Sequence, residues 1–474
     1  MFNIYQVVWG KFHKVQNMQK FAYYGLLLGL LWADAPATEP WRAATALKLP
    51  QWLSLTGSFR TRYENLNPQF RITRTGSDQV LVNRTTVKAG LHLSGWSLVG
   101  EMIDSRASLN DDGSIVTTGI VDPVELLQGY LQWRGGDLFA NGDRNNVRVG
   151  RVTMDVGSRR FVARNRYRNT INAFTGIDWQ WEGASGRRIR GFFTLPVNRE
   201  PNTFAALLDN DIEFDEEDSD VKFWGLFFAD ELYGRDRFEV FYFGIDEDDS
   251  STRRTRNRDL STLGFRVYRK AAPEQFDYEI ETAFQFGESR ASPAAVDTND
   301  LDHFAHFHHT EAGYTFDATW RPRVVVQYDY ASGDDNPGDG DYERFSTLYG
   351  ARRFDFGPTG IYGPFARANL STPGIRLQLK PRPRITSFIA YRGYWLASDK
   401  DAWTTSGIVD PSGNTDSFIG HQVEVRLRYN VAPDNLRLEA GFAHLFSGGF
   451  MDDAPNSRGQ GDVTYLYSQF ALTF

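Results

Sequence analysis

The sequence predicts an all-β fold, a transmembrane antiparallel β-barrel of about 18 strands. Three observations predict it. After residue 50, apolar and polar residues alternate with a period of two, and helical spacing is almost absent. The segments between the alternating stretches are short and long in turn. The last stretch alternates as well and ends on the aromatic residue Phe474, which is typical of the final strand of such barrels.

The composition excludes several other classes. The chain has 474 residues, a formal net charge of −8 and a mean hydropathy of −0.45. A bundle of membrane helices would need several apolar runs of about 18–20 residues, and only one run comes near that length. The lack of cysteine excludes disulfide frameworks and thiolate metal sites. Because phosphate binding needs a positive face, the net-acidic chain is expected to have no nucleic-acid partner.

Residues 1–35 are interpreted as a signal peptide. Lys20 precedes an apolar run over 21–33, and the run ends in the small-x-small pattern Ala33-Asp34-Ala35. The run is too short to span a bilayer comfortably, and a short membrane anchor is the alternative interpretation. We expect cleavage near Ala35, which leaves one barrel domain over residues 36–474.

The alternation assigns two faces to each strand. In residues 423–428, for example, Val423, Val425 and Leu427 alternate with a glutamate and two arginines. A soluble sandwich would alternate in the same way, but its connections would not sort into a short side and a long side. Eighteen stretches fit the pattern: 51–65, 79–93, 96–106, 124–134, 147–154, 171–182, 187–198, 220–231, 236–248, 258–270, 275–288, 303–316, 321–333, 371–382, 384–397, 417–431, 436–448 and 462–474. The long connections include 107–121, 199–219, 291–302, 335–370 and 399–416.

A barrel of this size leaves an aqueous lumen that side chains alone cannot fill. If the apolar face meets lipid, the polar face lines the lumen, and there arginine outnumbers acidic residues. Arginine also outnumbers lysine in the whole chain by 43 to 9. A lumen of this kind should concentrate anions, because the guanidinium fork suits carboxylates. The alternative is that luminal arginines and acids only pair with one another across strands.

Residues 147–179 carry a series of motifs: Gly150-Arg151, Gly157 followed by Arg159 and Arg160, Arg168-Asn169, and Phe174 with Gly176. In order and spacing these resemble the alginate export family of outer-membrane porins. The resemblance continues in residues 59–64, 328–334 and 345–349 and in the final hairpin. It implies a barrel in the bacterial outer membrane whose arginine-lined constriction passes an anionic polysaccharide of uronic acids. The sequence departs from the family at Ala432–Asn435, a turn too short for a pore-plugging loop.

From the lumen and the resemblance together we expect a non-enzymatic monomeric porin with no cofactor. Its partners would be an anionic polysaccharide or small anions, and outer-membrane lipids. The alternative is an anion-selective uptake porin for small organic acids or other nutrients. The segment after the fifth strand is long enough to fold into the lumen and narrow it. Twelve arginines are expected along the substrate path: Arg60, Arg62, Arg84, Arg148, Arg151, Arg159, Arg160, Arg166, Arg168, Arg376, Arg426 and Arg428.

No metal site is predicted. His306 and His308 share one strand face, but a third ligand is not visible. Residues 334–341 offer the oxygen ligands and glycines that calcium favours but lack the terminal bidentate glutamate of a calcium-binding loop, so calcium binding there is left open. No grouping of serine, histidine and acid suggests an enzyme.

Overall fold

A computed structural model describes residues 39–111, 113–250 and 253–474 of the chain. The predicted signal peptide over residues 1–35 lies outside the described residues. Among the residues that the structure describes, no helix is long and apolar enough to cross a membrane.

Eighteen strands, β1 to β18, form the wall: Leu53–Asn67, Asp78–Leu93, Trp96–Ser108, Asp122–Gly136, Arg144–Val152, Phe174–Glu182, Arg188–Asn198, Val221–Tyr233, Asp236–Glu247, Asp259–Arg269, Gln275–Ser289, Leu301–Thr315, Arg323–Ala331, Leu370–Arg382, Ile385–Trp395, Phe418–Ala432, Leu436–Ser447 and Val463–Thr473. Two strands of two residues, Glu216–Glu217 and Asp341–Tyr342, pair with β7 and β12. Four short helices, α1 to α4, occupy Ala43–Ala46, Phe204–Asp209, Arg353–Phe356 and Gly449–Asp453.

The wall is a closed antiparallel barrel. Each strand pairs with its neighbours in sequence, and β1 also pairs with β18 from Ser58 opposite Thr473 to Asn67 opposite Thr464. In the described residues each of the eighteen strands pairs with a neighbour on both sides, as a span through lipid requires. The prediction of an antiparallel barrel of about 18 strands is confirmed.

The connections sort by length, as predicted. Eight turns of two to seven residues lie at one rim of the barrel, and nine connections of 10 to 38 residues lie at the other. Because the number of strands is even, β1 begins and β18 ends at the short-turn rim. The short-turn rim therefore corresponds to the periplasmic side of an outer-membrane barrel.

The two faces of the wall are those expected from the alternation. Large apolar side chains such as Leu98 and Leu226 point outward and are 58% and 55% exposed. Charged side chains such as Arg62 and Glu64 point inward and are buried. This is the reverse of a soluble protein and fits a wall surrounded by lipid.

Two connections fold into the lumen. Residues 153–173, the first inward segment, follow β5, and residues 332–369, the second inward segment, follow β13. They bond to each other through their backbones, from Tyr349 N to the Phe161 carbonyl (2.9 Å) and from Ala163 N to the Tyr349 carbonyl (3.2 Å). The sequence predicts the first of these segments. The second was expected among the external loops, and the structure corrects that expectation.

The approach of the two segments requires a residue without a side chain. A Cβ on Gly350 would lie 1.6 Å from the carbonyl oxygen of Arg160, so only glycine fits there. Aromatic rings pack around the two inward segments. Phe161 of the first segment contacts Phe241 and Phe307 of the wall at ring-centroid distances of 5.2 and 5.8 Å, and these contacts fix the segment to the wall.

The seam, where β1 pairs with β18, depends on close packing at Gly57, and this packing can be tested. Gly57 exchanges two backbone hydrogen bonds with Phe474, at 2.8 and 2.9 Å, and a Cβ on Gly57 would lie 2.5 Å from the Phe474 ring. Gly57→Ala should therefore cost about 1–3 kcal/mol through overpacking. On SDS gels the folded form should convert to the unfolded form at a lower temperature than for the unsubstituted protein.

Gly100→Ala is the matched control, since a Cβ on Gly100 meets nothing within 4 Å. Its conversion temperature should stay unchanged. Equal conversion temperatures for the two variants would contradict the packing assigned to the seam.

Candidate functional site

Three of the predicted luminal arginines hold the first inward segment against the wall. Arg60 and Arg84 both donate to the carbonyl of Arg168, at 2.8 and 3.0 Å. Arg62 donates to the carbonyl of Tyr167 at 2.7 Å. These carbonyls belong to no strand, so guanidinium groups supply the bonds that a sheet would otherwise supply. The three arginines lie in the lumen as predicted, but Arg60 and Arg62 use most of their donors within the protein, and Arg84 donates through one nitrogen.

The second inward segment is fixed by a buried carboxylate. Glu64 accepts a hydrogen bond from the backbone N of Ile361 at 3.0 Å and one from the Tyr465 hydroxyl at 2.8 Å. It also forms an ion pair with Arg62 at 2.7 Å, and both side chains are 1% exposed. A buried charge is tolerated only when it is paired and hydrogen-bonded, and these three contacts meet that condition.

Arg160 lies where the two inward segments meet the wall. It forms ion pairs with Glu279, with Glu281 at 2.5 Å and with Asp355 at 3.1 Å. Asp355 also pairs with Arg367. Burial disfavours the charge of Asp355, but Arg160 and Arg367 outweigh that effect and hold the pKa of its carboxyl far below the usual range. Arg160 is therefore neutralised, and its role here is to fasten the segments.

One nearby group has the composition of a metal site. Potential ligand atoms of His309, Asp329 and Asp355 lie within 4.8 Å of one another, and all three residues are buried. The carboxylates are already engaged, because Asp329 binds His309 at 2.7 Å and also pairs with Arg392. Arginine charges at these carboxylates oppose a divalent cation, so the donor set does not fit a metal.

Beyond this network lies the arginine cavity, a space of about 200 Å³. Among the residues that the structure describes, four guanidinium groups line it and no carboxylate does. Arg199 donates to the Thr118 carbonyl at 2.8 Å and to Asn172 at 3.1 Å, and Arg352 donates to the Phe365 carbonyl at 2.9 Å. The remaining lining residues are Arg168, Thr347, Leu348, Tyr349, Gly350, Ala366 and Arg367.

The positive charges in this cavity are destabilised by burial and by repulsion from neighbouring arginines. Burial, reinforced by Arg199 and Arg352, lowers the pKa of the Arg168 guanidinium to about 9. Burial, reinforced by Arg71 and Arg367, lowers that of Arg352 to about 10. Such shifts mean that the charged state is costly without a counter-charge. An anion in the cavity would relieve that cost.

Two larger spaces lie in the lumen besides the arginine cavity. The short-turn vestibule, of about 960 Å³, is lined mostly by strand residues near the short-turn rim, with Lys270 and Ala271 from one turn, and reaches inward to residues 155–157. The long-loop vestibule, of about 670 Å³, is lined by residues 196–200, Asn202 and residues 216–219 at the opposite rim. It shares Asn172, Arg199 and Tyr349 with the arginine cavity. The arginine cavity therefore adjoins the long-loop vestibule, and the short-turn vestibule lies towards the opposite rim.

The other predicted arginines are dispersed along the wall and the first inward segment. Arg148 pairs with Asp178 at 2.6 Å, and Arg428 pairs with Glu439 at 2.8 Å. The Arg166 side chain is 64% exposed and pairs with Asp155 at 2.8 Å. Arg148 and Arg428 lie on strands, whereas Arg166 lies on the inward segment.

The remaining predicted arginines include Arg151, the one whose predicted position in the lumen is wrong. Arg376 donates to the Phe354 carbonyl at 2.9 Å, while the guanidinium carbons of Arg159 and Arg426 lie 5.2 and 4.5 Å from aromatic ring centres. Arg151 lies within β5, on the outward face with Val149, and pairs with Glu125 at 2.7 Å and Glu217 at 2.8 Å. It is three positions from luminal Arg148, and residues an odd number apart on a strand face opposite ways.

Cross-strand pairing accounts for only part of the set. Within the described residues, six of the twelve arginines form ion pairs with carboxylates, and six have no carboxylate partner. The unpaired six are Arg60, Arg84, Arg159, Arg168, Arg376 and Arg426. Neutralisation of arginine by acid is therefore not a complete explanation of the lumen.

Sequence reasoning brings Arg168 to the arginine cavity but misses its three partners, Arg199, Arg352 and Arg367. All three lie in long connections, where the alternation of strand faces assigns no direction to a side chain. The available signal was local composition. Arg352 and Arg353 are adjacent, and Arg367 follows them within a connection rich in glycine and aromatic residues.

The fold is that of outer-membrane porins of known structure. OpdK of Pseudomonas aeruginosa aligns with a TM-score of 0.56 at 10% identity, over 89% of this chain and 99% of that one. OccK9 (OpdG) of the same organism gives 0.57 at 12% identity, over 89% and 98%. OccAB3 of Acinetobacter baumannii gives 0.56 at 12% identity, over 89% and 99%. Identities this low establish the fold alone.

Sequence comparison is more specific. None of the curated proteins matches the sequence of this chain. The family model for alginate export matches residues 51–463, which include strands β1 to β17 and the first residue of β18. The chain is an outer-membrane β-barrel porin and belongs to the alginate export family.

Proposed function

We propose that this porin passes an anionic polysaccharide, of the alginate-like uronic acid type, through its arginine-lined lumen without covalent chemistry. The observation that carries the proposal is the arginine cavity, where four guanidinium groups converge and, in the described part of the chain, no carboxylate lines the space. Each sugar of a uronic acid chain carries one carboxylate, and a planar guanidinium binds a carboxylate through two parallel hydrogen bonds.

The surroundings of the cavity support a linear substrate. A vestibule of about 670 Å³ adjoins the arginine cavity and one of about 960 Å³ lies towards the opposite rim, so neighbouring sugars of one chain would have room in the lumen. The outward apolar face supports outer-membrane lipids as the surrounding partner, and one chain closes the barrel alone, which supports a monomer. Cleavage of the signal peptide near Ala35 stays a prediction.

A second candidate is an anion-selective uptake porin for small organic acids or other nutrients. The observation that favours it is the volume of the arginine cavity, about 200 Å³, which suits a small dicarboxylate or tricarboxylate as well as a single sugar. Both candidates depend on the same arginines. They differ in whether carboxylates beyond the cavity add to binding.

The shared basis is tested by removing charge from the cavity. In R168Q/R352Q the reversal potential in a KCl gradient should shift away from chloride. Arg367 is paired with Asp355, so this double variant removes two of the three cavity guanidinium groups that have no carboxylate partner in the described residues. Block by oligouronates should weaken by at least about tenfold, because a charge-assisted hydrogen bond contributes about 1.5–3 kcal/mol. Planar bilayer recording measures both quantities.

R106Q/R254Q removes the same charge from two arginines that line none of the three spaces. It should behave as the unsubstituted channel. Cation selectivity in the unsubstituted channel, or equal behaviour of the two double variants, would refute the role assigned to the cavity.

The length of the blocking anion separates the two candidates. If a polysaccharide is the substrate, the concentration of oligouronate that halves the current should fall as the oligomer grows from one sugar to several. Each added carboxylate can meet another luminal guanidinium, whereas neutral oligosaccharides of equal length should block poorly. A small tricarboxylate that blocks as well as the longest oligouronate would favour the uptake porin instead.

A further inference from the structure

The fixed charge in the lumen changes sign along the barrel. In the long-loop vestibule the lining acids are Glu200, Glu216, Glu217 and Asp218, against Arg253 and the shared Arg199. The arginine cavity that follows has four cations and no acid. The short-turn vestibule has eight cations and six acids. An acidic zone therefore lies at the external end and a basic zone occupies the middle and the periplasmic end.

The acidic zone is only partly neutralised. Residues 211–220 include seven acids and no cation. Glu217 pairs with Arg151, but within the described residues the carboxylates of Glu200 and Glu216 form no ion pair. Burial, followed by repulsion from Glu213, raises the pKa of Glu200, which fits a crowded negative region.

The basic zone also keeps free charge. Arg134, Arg188 and Lys270 line the short-turn vestibule, and in the described part of the chain none of the three pairs with a carboxylate. Together with the arginine cavity they make anions the favoured mobile ions from the middle of the lumen to the periplasmic rim. In the acidic zone cations are favoured instead.

Two zones of opposite fixed charge in series do not conduct equally in both directions. A field that drives anions from the basic zone towards the acidic zone also drives cations the other way, so both ions accumulate where the zones meet. The opposite field empties the same region of both ions. We propose that this porin is a rectifier that passes anions outward more readily than inward. The inference rests on the proposed function in that the arginine cavity must lie on the conducting path.

Rectification of this kind favours export of an anion over its return under an equal driving force. It supplies no energy, and at equilibrium the net flux is zero. It also makes the acidic external vestibule part of the transport device, in which it opposes the return of external polyanions to the arginine cavity.

The test is the current–voltage curve of channels inserted in known orientation. In about 0.1 M KCl the current that carries chloride outward should exceed the inward chloride current at the opposite voltage by about twofold or more. The ratio should approach one in about 1 M KCl, where the Debye length falls from about 10 Å to about 3 Å. Chloride selectivity is determined in a separate experiment, in which the reversal potential is measured in a KCl gradient.

In E200Q/E216Q/D218N the ratio in dilute salt should fall towards one, while the preference for chloride persists. The amides keep the size of the side chains they replace and one acceptor oxygen in each. D399N/D452N/D453N removes three acids from other external connections and should leave the ratio unchanged.

A symmetric current in dilute salt would overturn the rectifier, as would a ratio of the opposite sense or one that the first triple variant leaves unaltered. If chloride selectivity and oligouronate block persist in any of these cases, the proposed function stands and only the rectifier fails. Cation selectivity in the unsubstituted channel would overturn both.

Discussion

The whole interior depends on one constraint: main-chain groups folded into a closed barrel must find hydrogen-bonding partners there. All backbone groups of the wall can pair with neighbouring strands, but the two inward segments have no sheet to join. Arg60, Arg62 and Arg84 donate hydrogen bonds to backbone carbonyls of the first inward segment. Glu64 accepts a hydrogen bond from the backbone N–H of Ile361 in the second inward segment. The lumen can hold folded backbone only because the wall carries these side chains.

This constraint accounts for the excess of arginine over lysine better than substrate binding alone. A guanidinium has several donors in a fixed plane, so one Arg60 side chain reaches the Arg166, Tyr167 and Arg168 carbonyls and the Asn169 side chain. A lysine ammonium could not span that set. Arginine therefore has two roles in the lumen. Some arginines bind backbone carbonyls, and others, among the described residues, have no carboxylate partner and leave a positive charge uncompensated. The net charge of −8 hides this division, because acids concentrate in external connections such as 211–220.

The wall could be predicted from the sequence almost completely, since lipid outside and water inside impose a period of two on every strand. The same rule correctly places Arg60, Arg84 and Arg428 in the lumen. It could not place Arg199, Arg352 or Arg367, whose connections have no alternating face. It also could not show that residues 332–369 turn inward, because that depends on long-range contacts such as those of Glu64. Arg151 is predicted in the lumen because it belongs to a motif that resembles the family. Its spacing of three positions from luminal Arg148 already places it on the outer face of β5.

The Glu64 contact has a consequence for how the molecule assembles. Its carboxylate joins Tyr465, 401 positions away in the chain, and Ile361, 297 positions away. Contacts between residues so far apart in sequence form late, because the intervening chain must be ordered before they can be made. We therefore expect the second inward segment to reach its final position late, at about the stage when the first and last strands pair. A nascent barrel would pass through a stage with its sheet open and its lumen unobstructed, and the narrow passage would be the last part of the molecule to mature.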